Sequence, residues 1–263
     1  MANAPKKPDN GTKKESDQAN GLAKSFDQYE YVAVITPGAA LLLGLLLTFP
    51  GILPGKSDSD IGLGALGIFL VAAYVAGQIL RAIGDVAEKK LWRYVGGMPT
   101  EWILCPDLAE RIKKLRWHKW LPDIGSLLDK QQEHDLKARV DKLFNVKFDE
   151  FVVTDDDASK REKKFDDWQA ITRRIYTTVL AAKKNARVDA FNRTYGMMVG
   201  ITVALAITGA ALWVQALVTG DLKRALFGVL AFIVAGFTMY RAFVFGKLYA
   251  RELYVSFLAA TKT

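Results

Sequence analysis

The sequence predicts an all-α integral membrane protein: four transmembrane helices, with a mainly helical cytoplasmic domain inserted between the second and third. Three observations carry this. Four stretches, 31–49, 61–83, 195–218 and 225–245, are apolar over about the 20 residues that a spanning helix needs. Between the second and third lies a polar segment, 86–194, of domain size and mostly helical spacing. The chain is 51% hydrophobic and 24% charged with a formal net charge of +8, a balance that suits neither an ordinary soluble domain nor a disordered one.

Residues 1–25 are polar and lack an apolar signal core, so they read as a disordered cytoplasmic tail. Lys6, Lys7, Lys13 and Lys14 are solvated there or touch anionic lipid. Residues 26–85 hold the first two spans. Asp27 caps the first, Glu30 completes a capping box, and Phe26 with Tyr31 forms the hydrophobic staple. Pro37-Gly38 inside this run predicts a kink or a helix restart. Ser59 or Asp60 caps the second span. Its glycines, Gly62, Gly64, Gly67 and Gly77, with Gly38 and Gly44 of the first, permit close helix approach within a protomer or between protomers.

The second span closes on an unusual stripe. Tyr74, Gln78, Arg81 and Asp85 stand at i, i+4, i+7 and i+11, one face of a helix. Two readings fit. Arg81 and Asp85 meet water at the membrane border, or the stripe lines the inner mouth of an oligomeric pore.

Segment 86–194 contains three helical runs. One is DLAERIKKLRWHKWL, with Leu108, Ile112 and Leu115 in step. The next is SLLDKQQEHDLKARVDKLF, with Leu127, Leu128, Leu136, Val140 and Leu143 apolar. The third places Trp168, Ile171, Ile175, Val179 and Ala182 on one face and continues toward the third span. The stretch NVKFDEFVV is compatible with a hairpin. Residues 195–263 carry the last two spans and a C-terminal cytoplasmic helix. TGDLKR between these spans allows only an antiparallel hairpin. The excess of Lys and Arg on the side of the tail, segment 86–194 and the C-terminus places both termini in the cytoplasm.

Two basic clusters stand out: Arg116, Trp117, His118, Lys119 and Trp120, and Arg173, Arg174, Tyr176, Lys183, Lys184 and Arg187. They suit topology setting and contact with lipid head groups. The sharper alternative is an oligonucleotide, whose phosphates need cations and whose bases stack on aromatic faces. Catalysis has little basis. His118 and His134 are the only histidines, and Glu133, His134 and Asp135 are sequence neighbours that diverge on a helix. Asp155, Asp156 and Asp157 read as a loop or helix start. The single cysteine, Cys105, excludes an internal disulfide, and no nucleotide-loop, nucleophile-elbow or zinc motif occurs. No enzyme, metal or cofactor is expected. A non-enzymatic membrane scaffold recruiting a soluble partner is the competing reading.

The stretches FDQYEYVAVITPGAALLLGLLL, AYVAGQILRAIGDVAEKKLWRYVGGMPTEWIL, FNRTYGMMVG and YRAFVFGKLYARELYVSFL resemble membrane effectors of bacterial anti-phage defence, the Hailong A type. The resemblance covers the spans and their flanks and leaves out 105–170. It implies a homo-oligomer, a tetramer for preference, in the bacterial inner membrane. It further implies a cytoplasmic crown holding single-stranded DNA made by a partner nucleotidyltransferase. That DNA keeps an ion channel shut, and its removal opens the channel and kills the infected cell.

Overall fold

The computed structural model describes residues 31–49, 63–95, 97–102, 128–146 and 158–262, and every regular element among them is a helix. A π-helical turn, Tyr31–Ile35, runs into α1 (Thr36–Thr48). There follow α2 (Leu63–Val95), the single turn α3 (Pro99–Trp102), α4 (Lys130–Phe144), α5 (Ala158–Ala181), α6 (Ala186–Thr219) and α7 (Leu222–Ala260). The expected caps at Asp27, Glu30, Ser59 and Asp60 lie outside the described residues. So do the helical run 107–121 with its cluster Arg116–Trp120, residues 147–153 of the hairpin expected over 145–153, and the run Asp155–Asp157; Asn145 is the left-handed C-cap of the helix Lys130–Phe144.

Among the described residues three helices are long and apolar enough to cross a membrane: α2 over 64–90, α6, and α7. Large apolar side chains stand out on them, among them Ile68, Leu217 and Leu222 at 74%, 77% and 81% exposure. Water would penalise such surfaces heavily, and this is the architecture of a helical membrane protein. The first apolar helix, Ala33–Thr48, is shorter. Pro37 stands in the first turn of α1, directly after the π turn, and Ile35 at their junction is helical, so the run passes from π to α without the expected restart. Proline has no N–H to give, and an α-helix tolerates it only there.

Close backbone approach holds the apolar helices together. A Cβ at Gly38 of α1 would overlap the Ala73 carbonyl oxygen of α2, and one at Gly77 would overlap that of Val34. At Gly64 and Gly67 nothing lies within 4 Å. Gly220 ends α6 in the left-handed conformation and Asp221 caps α7 through the Lys223 N–H, which gives the expected antiparallel pair.

The polar end has its own core. Leu136 and Val140 of α4, Trp168, Ile171, Ile175 and Val179 of α5, and Val188 of α6 surround Leu253, Tyr254 and Phe257 of α7. The last third of α7 is thus the axis of this core. α4 forms where the spacing predicts, with Asp129 and Gln132 making a reciprocal capping box, although Leu143 is 52% exposed. Glu133 pairs with Lys137 and Asp135 accepts from Gln131, so the Glu-His-Asp run does diverge.

One expectation fails. α5 does not continue into the third span. It stops at Ala181, Lys183 turns left-handed at φ +55°, and α6 restarts at Ala186. The Lys183 and Lys184 N–H groups close the turn on the carbonyls of Leu180 and Val179. Ala182 is therefore exposed, and Lys184 and Arg187 leave the α5 face on which the periodicity put them.

Candidate functional site

The α2 stripe leads to the site. Ala73, Ala76, Gly77, Leu80 and Gly84 are buried, Tyr74 is half-buried, and Gln78, Arg81 and Asp85 are exposed. Arg81 and Asp85 nevertheless line a cavity of about 170 Å³ between α1, α2 and α6. Glu88 from α2 and Asn192 and Tyr195 from α6 complete its polar wall. Tyr74 and Gln78 do not reach it.

Glu88, Asn192 and Tyr195 also border a second cavity of about 270 Å³, which faces the polar end. Its other wall carries Gln169, Thr172 and Arg173 of α5 and Tyr249 of α7. A third cavity of about 450 Å³, almost wholly apolar, opens between α2, α6 and α7 and shares Glu88, Trp92 and Tyr195.

A compact hydrogen-bonded group stands where the three meet. Trp92 Nε1 donates to the Tyr195 hydroxyl at 2.8 Å, and Glu88 is hydrogen-bonded to both Tyr195 and Trp92. The Trp92 ring, 2% exposed, meets Phe243 of α7 edge-on at 4.8 Å. This group therefore joins α2, α6 and α7 at one level. Indole and phenol suit that place, since each has an apolar body and a polar tip.

The segment after α2 locks the group to the polar core. The Gly97 N–H donates to the Trp92 carbonyl at 2.7 Å, and Gly97 has φ +116°, a conformation that favours glycine. The Met98 N–H donates to Glu101 Oε2 at 2.8 Å. The Tyr254 hydroxyl donates to the Thr100 carbonyl at 2.6 Å. Glu101 is buried, and loss of water pushes its carboxyl up to about 7 against the opposing Met98 hydrogen bond. Gly97–Glu101 is thus a clamp between the end of α2 and the α7 axis.

The described basic residues take separate roles. Arg173 faces the second cavity, and Arg174 and Lys183 are exposed. Tyr176 donates to Asp189 at 2.9 Å across the α5–α6 turn. Lys184 Nζ donates to the Ala259 carbonyl at 2.7 Å, and Arg139 to that of Leu258, so both serve the C-terminus of α7. Arg187 lies 3.4 Å from Glu252.

Sequence reasoning missed Glu88, Trp92, Asn192 and Tyr195. Part of the signal was present: Glu88 and Trp92 continue the stripe, three and seven residues beyond Asp85. Their partners on α6 are about a hundred residues away, and no local pattern announces them. Among the described residues no cluster of three or more His, Cys, Asp or Glu could hold a metal ion. No known protein family, curated protein or solved structure matches this chain.

Proposed function

We propose that the chain is the subunit of an oligomeric ion channel with four spans and both termini cytoplasmic, gated by a single-stranded oligonucleotide on its basic polar end. Gln78 carries this reading. It is exposed within the apolar length of α2, the span that is exposed on all sides over 64–68. A carboxamide in hydrocarbon costs several kcal/mol unless hydrogen-bonded, so Gln78 faces water or another copy. Copies arranged about one axis supply both, and closed rings are the usual outcome. Arg174, Lys183 and the cluster Arg116–Trp120 take the phosphates and bases. The clamp at Gly97–Glu101 passes a change at that end to α2. A nucleotidyltransferase partner is the natural source of such a ligand, and anti-phage defence ending in cell death the natural use.

Proteoliposomes test this. Protein stripped of nucleic acid should pass small ions, and added single-stranded oligonucleotide should change the flux. Gln78→Leu should alter unitary conductance several-fold while the detergent-solubilised oligomer keeps its mass. Vesicles that stay tight with and without oligonucleotide, at low and high salt, would refute the channel and favour a scaffold that recruits a soluble partner.

A further inference from the structure

Two of the cavities around Glu88 adjoin and differ in kind. The one facing the polar end carries Arg173 and Thr172. Thr172 Oγ1 is buried there without a hydrogen-bond partner among the described residues. The other has apolar walls, Ile83, Ala210 and Met239 among them. Both share Glu88, Trp92 and Tyr195. The apolar one follows α6 from Tyr195 to Ala210, about 22 Å at 1.5 Å per residue. Half a hydrocarbon core is about 15 Å thick, so a whole acyl chain fits along it. Its 450 Å³ lies within the ordinary size of a ligand site.

We propose that this pair of cavities holds one membrane phospholipid with a primary ammonium head group, of the phosphatidylethanolamine class. One acyl chain occupies the apolar slot. The ammonium meets the Glu88 carboxylate, and the phosphate lies toward Arg173 and the Thr172 hydroxyl. The choice of head group rests on charge. Glu88 accepts hydrogen bonds from the neutral donors Tyr195 and Trp92, the nearby Asp85 adds negative charge that Lys89 offsets only in part, and further lone pairs stay open. A primary ammonium brings three N–H donors as well as a charge, while a choline head group brings a charge alone. Arg173 on the far wall favours the adjoining phosphate. This inference needs the membrane setting of α2, α6 and α7 and does not depend on the channel.

The test is native mass spectrometry of the full chain, exchanged in detergent against equimolar phosphatidylethanolamine, phosphatidylcholine and phosphatidylglycerol with matched chains. The wild type should keep one phosphatidylethanolamine per protomer, about tenfold over phosphatidylcholine, the size of one charge-assisted hydrogen bond. Glu88→Gln should lose that preference, and Ala210→Phe, which narrows the slot, should lower retention of all three lipids. Retention in the supplied ratio, or preferential retention of phosphatidylglycerol, would overturn the proposal. Should Glu88→Gln fail to assemble, the wild type decides. A melting temperature raised selectively by phosphatidylethanolamine supports the site, and an equal rise with phosphatidylcholine refutes it.

Discussion

Glu101 gives the protein a pH dependence whose size and sign follow from its burial. Its side chain is in a residue only 7% exposed, and its carboxyl sits at about 7 instead of the ordinary 4.5. At 1.36 kcal/mol per pH unit, that difference amounts to about 3 kcal/mol. The folded state holds the proton more tightly than the unfolded one. The contribution to stability is therefore complete below pH 4.5, falls as pH rises through 4.5 to 7, and is absent above 7. Glu101→Gln keeps an acceptor for the Met98 N–H and removes the charge. Thermal melts in detergent, followed by tryptophan fluorescence from pH 4.5 to 8.5, compare the two proteins. The wild type should lose about 3 kcal/mol relative to the variant across this range, roughly 6–12 °C in melting temperature for a chain of this size. Comparing the two proteins cancels every other titrating group. Parallel melting curves over the whole range would refute the reasoning, because Glu101 would then titrate alike in both states.

Gly38→Ala should cost about 1–3 kcal/mol or more by forcing α1 off the Ala73 carbonyl, while Gly64→Ala, in open space, should leave stability unchanged or gain up to about 1 kcal/mol; equal melting temperatures would contradict the α1–α2 contact. Gly97→Ala combines a strained φ of +116° with a Cβ against the Glu101 carboxylate, and should destabilise by about 1–3 kcal/mol in the same melts. Lys184→Met should cost less than about 1 kcal/mol, since the side chain is exposed, and should speed hydrogen exchange in the last turn of α7 without affecting α2.

What could be read from the residues followed the range of the forces involved. The apolar lengths of α2, α6 and α7 and the Leu136–Val140 and Ile171–Ile175–Val179 faces depend on local spacing, and they were legible. The stop at Ala181 was not. The chain there has no glycine or proline, and Lys183 takes a left-handed conformation because the turn is tied down from outside. Lys184 bonds Ala259, and Tyr176 and Asn185 both bond Asp189. The first span, 31–49, matches the helical run 31–48, but apolarity did not show that its start is a π turn ending just before Pro37. At the candidate site, Arg81 and Asp85 were visible as a stripe. Their meeting with Asn192 and Tyr195 is a product of tertiary packing, and so is the burial that lifts Glu101.

α7 is one helix of 39 residues without a proline, about 58 Å long. Its apolar portion belongs to the lipid-facing bundle, while its final turns are the post around which the polar core is assembled. A rod of this kind transmits rotation as leverage. Pivoting by ten degrees about its midpoint carries each tip through roughly 5 Å. A shift at one tip thus becomes a displacement of atomic dimensions at the other, with no break in the helix between them.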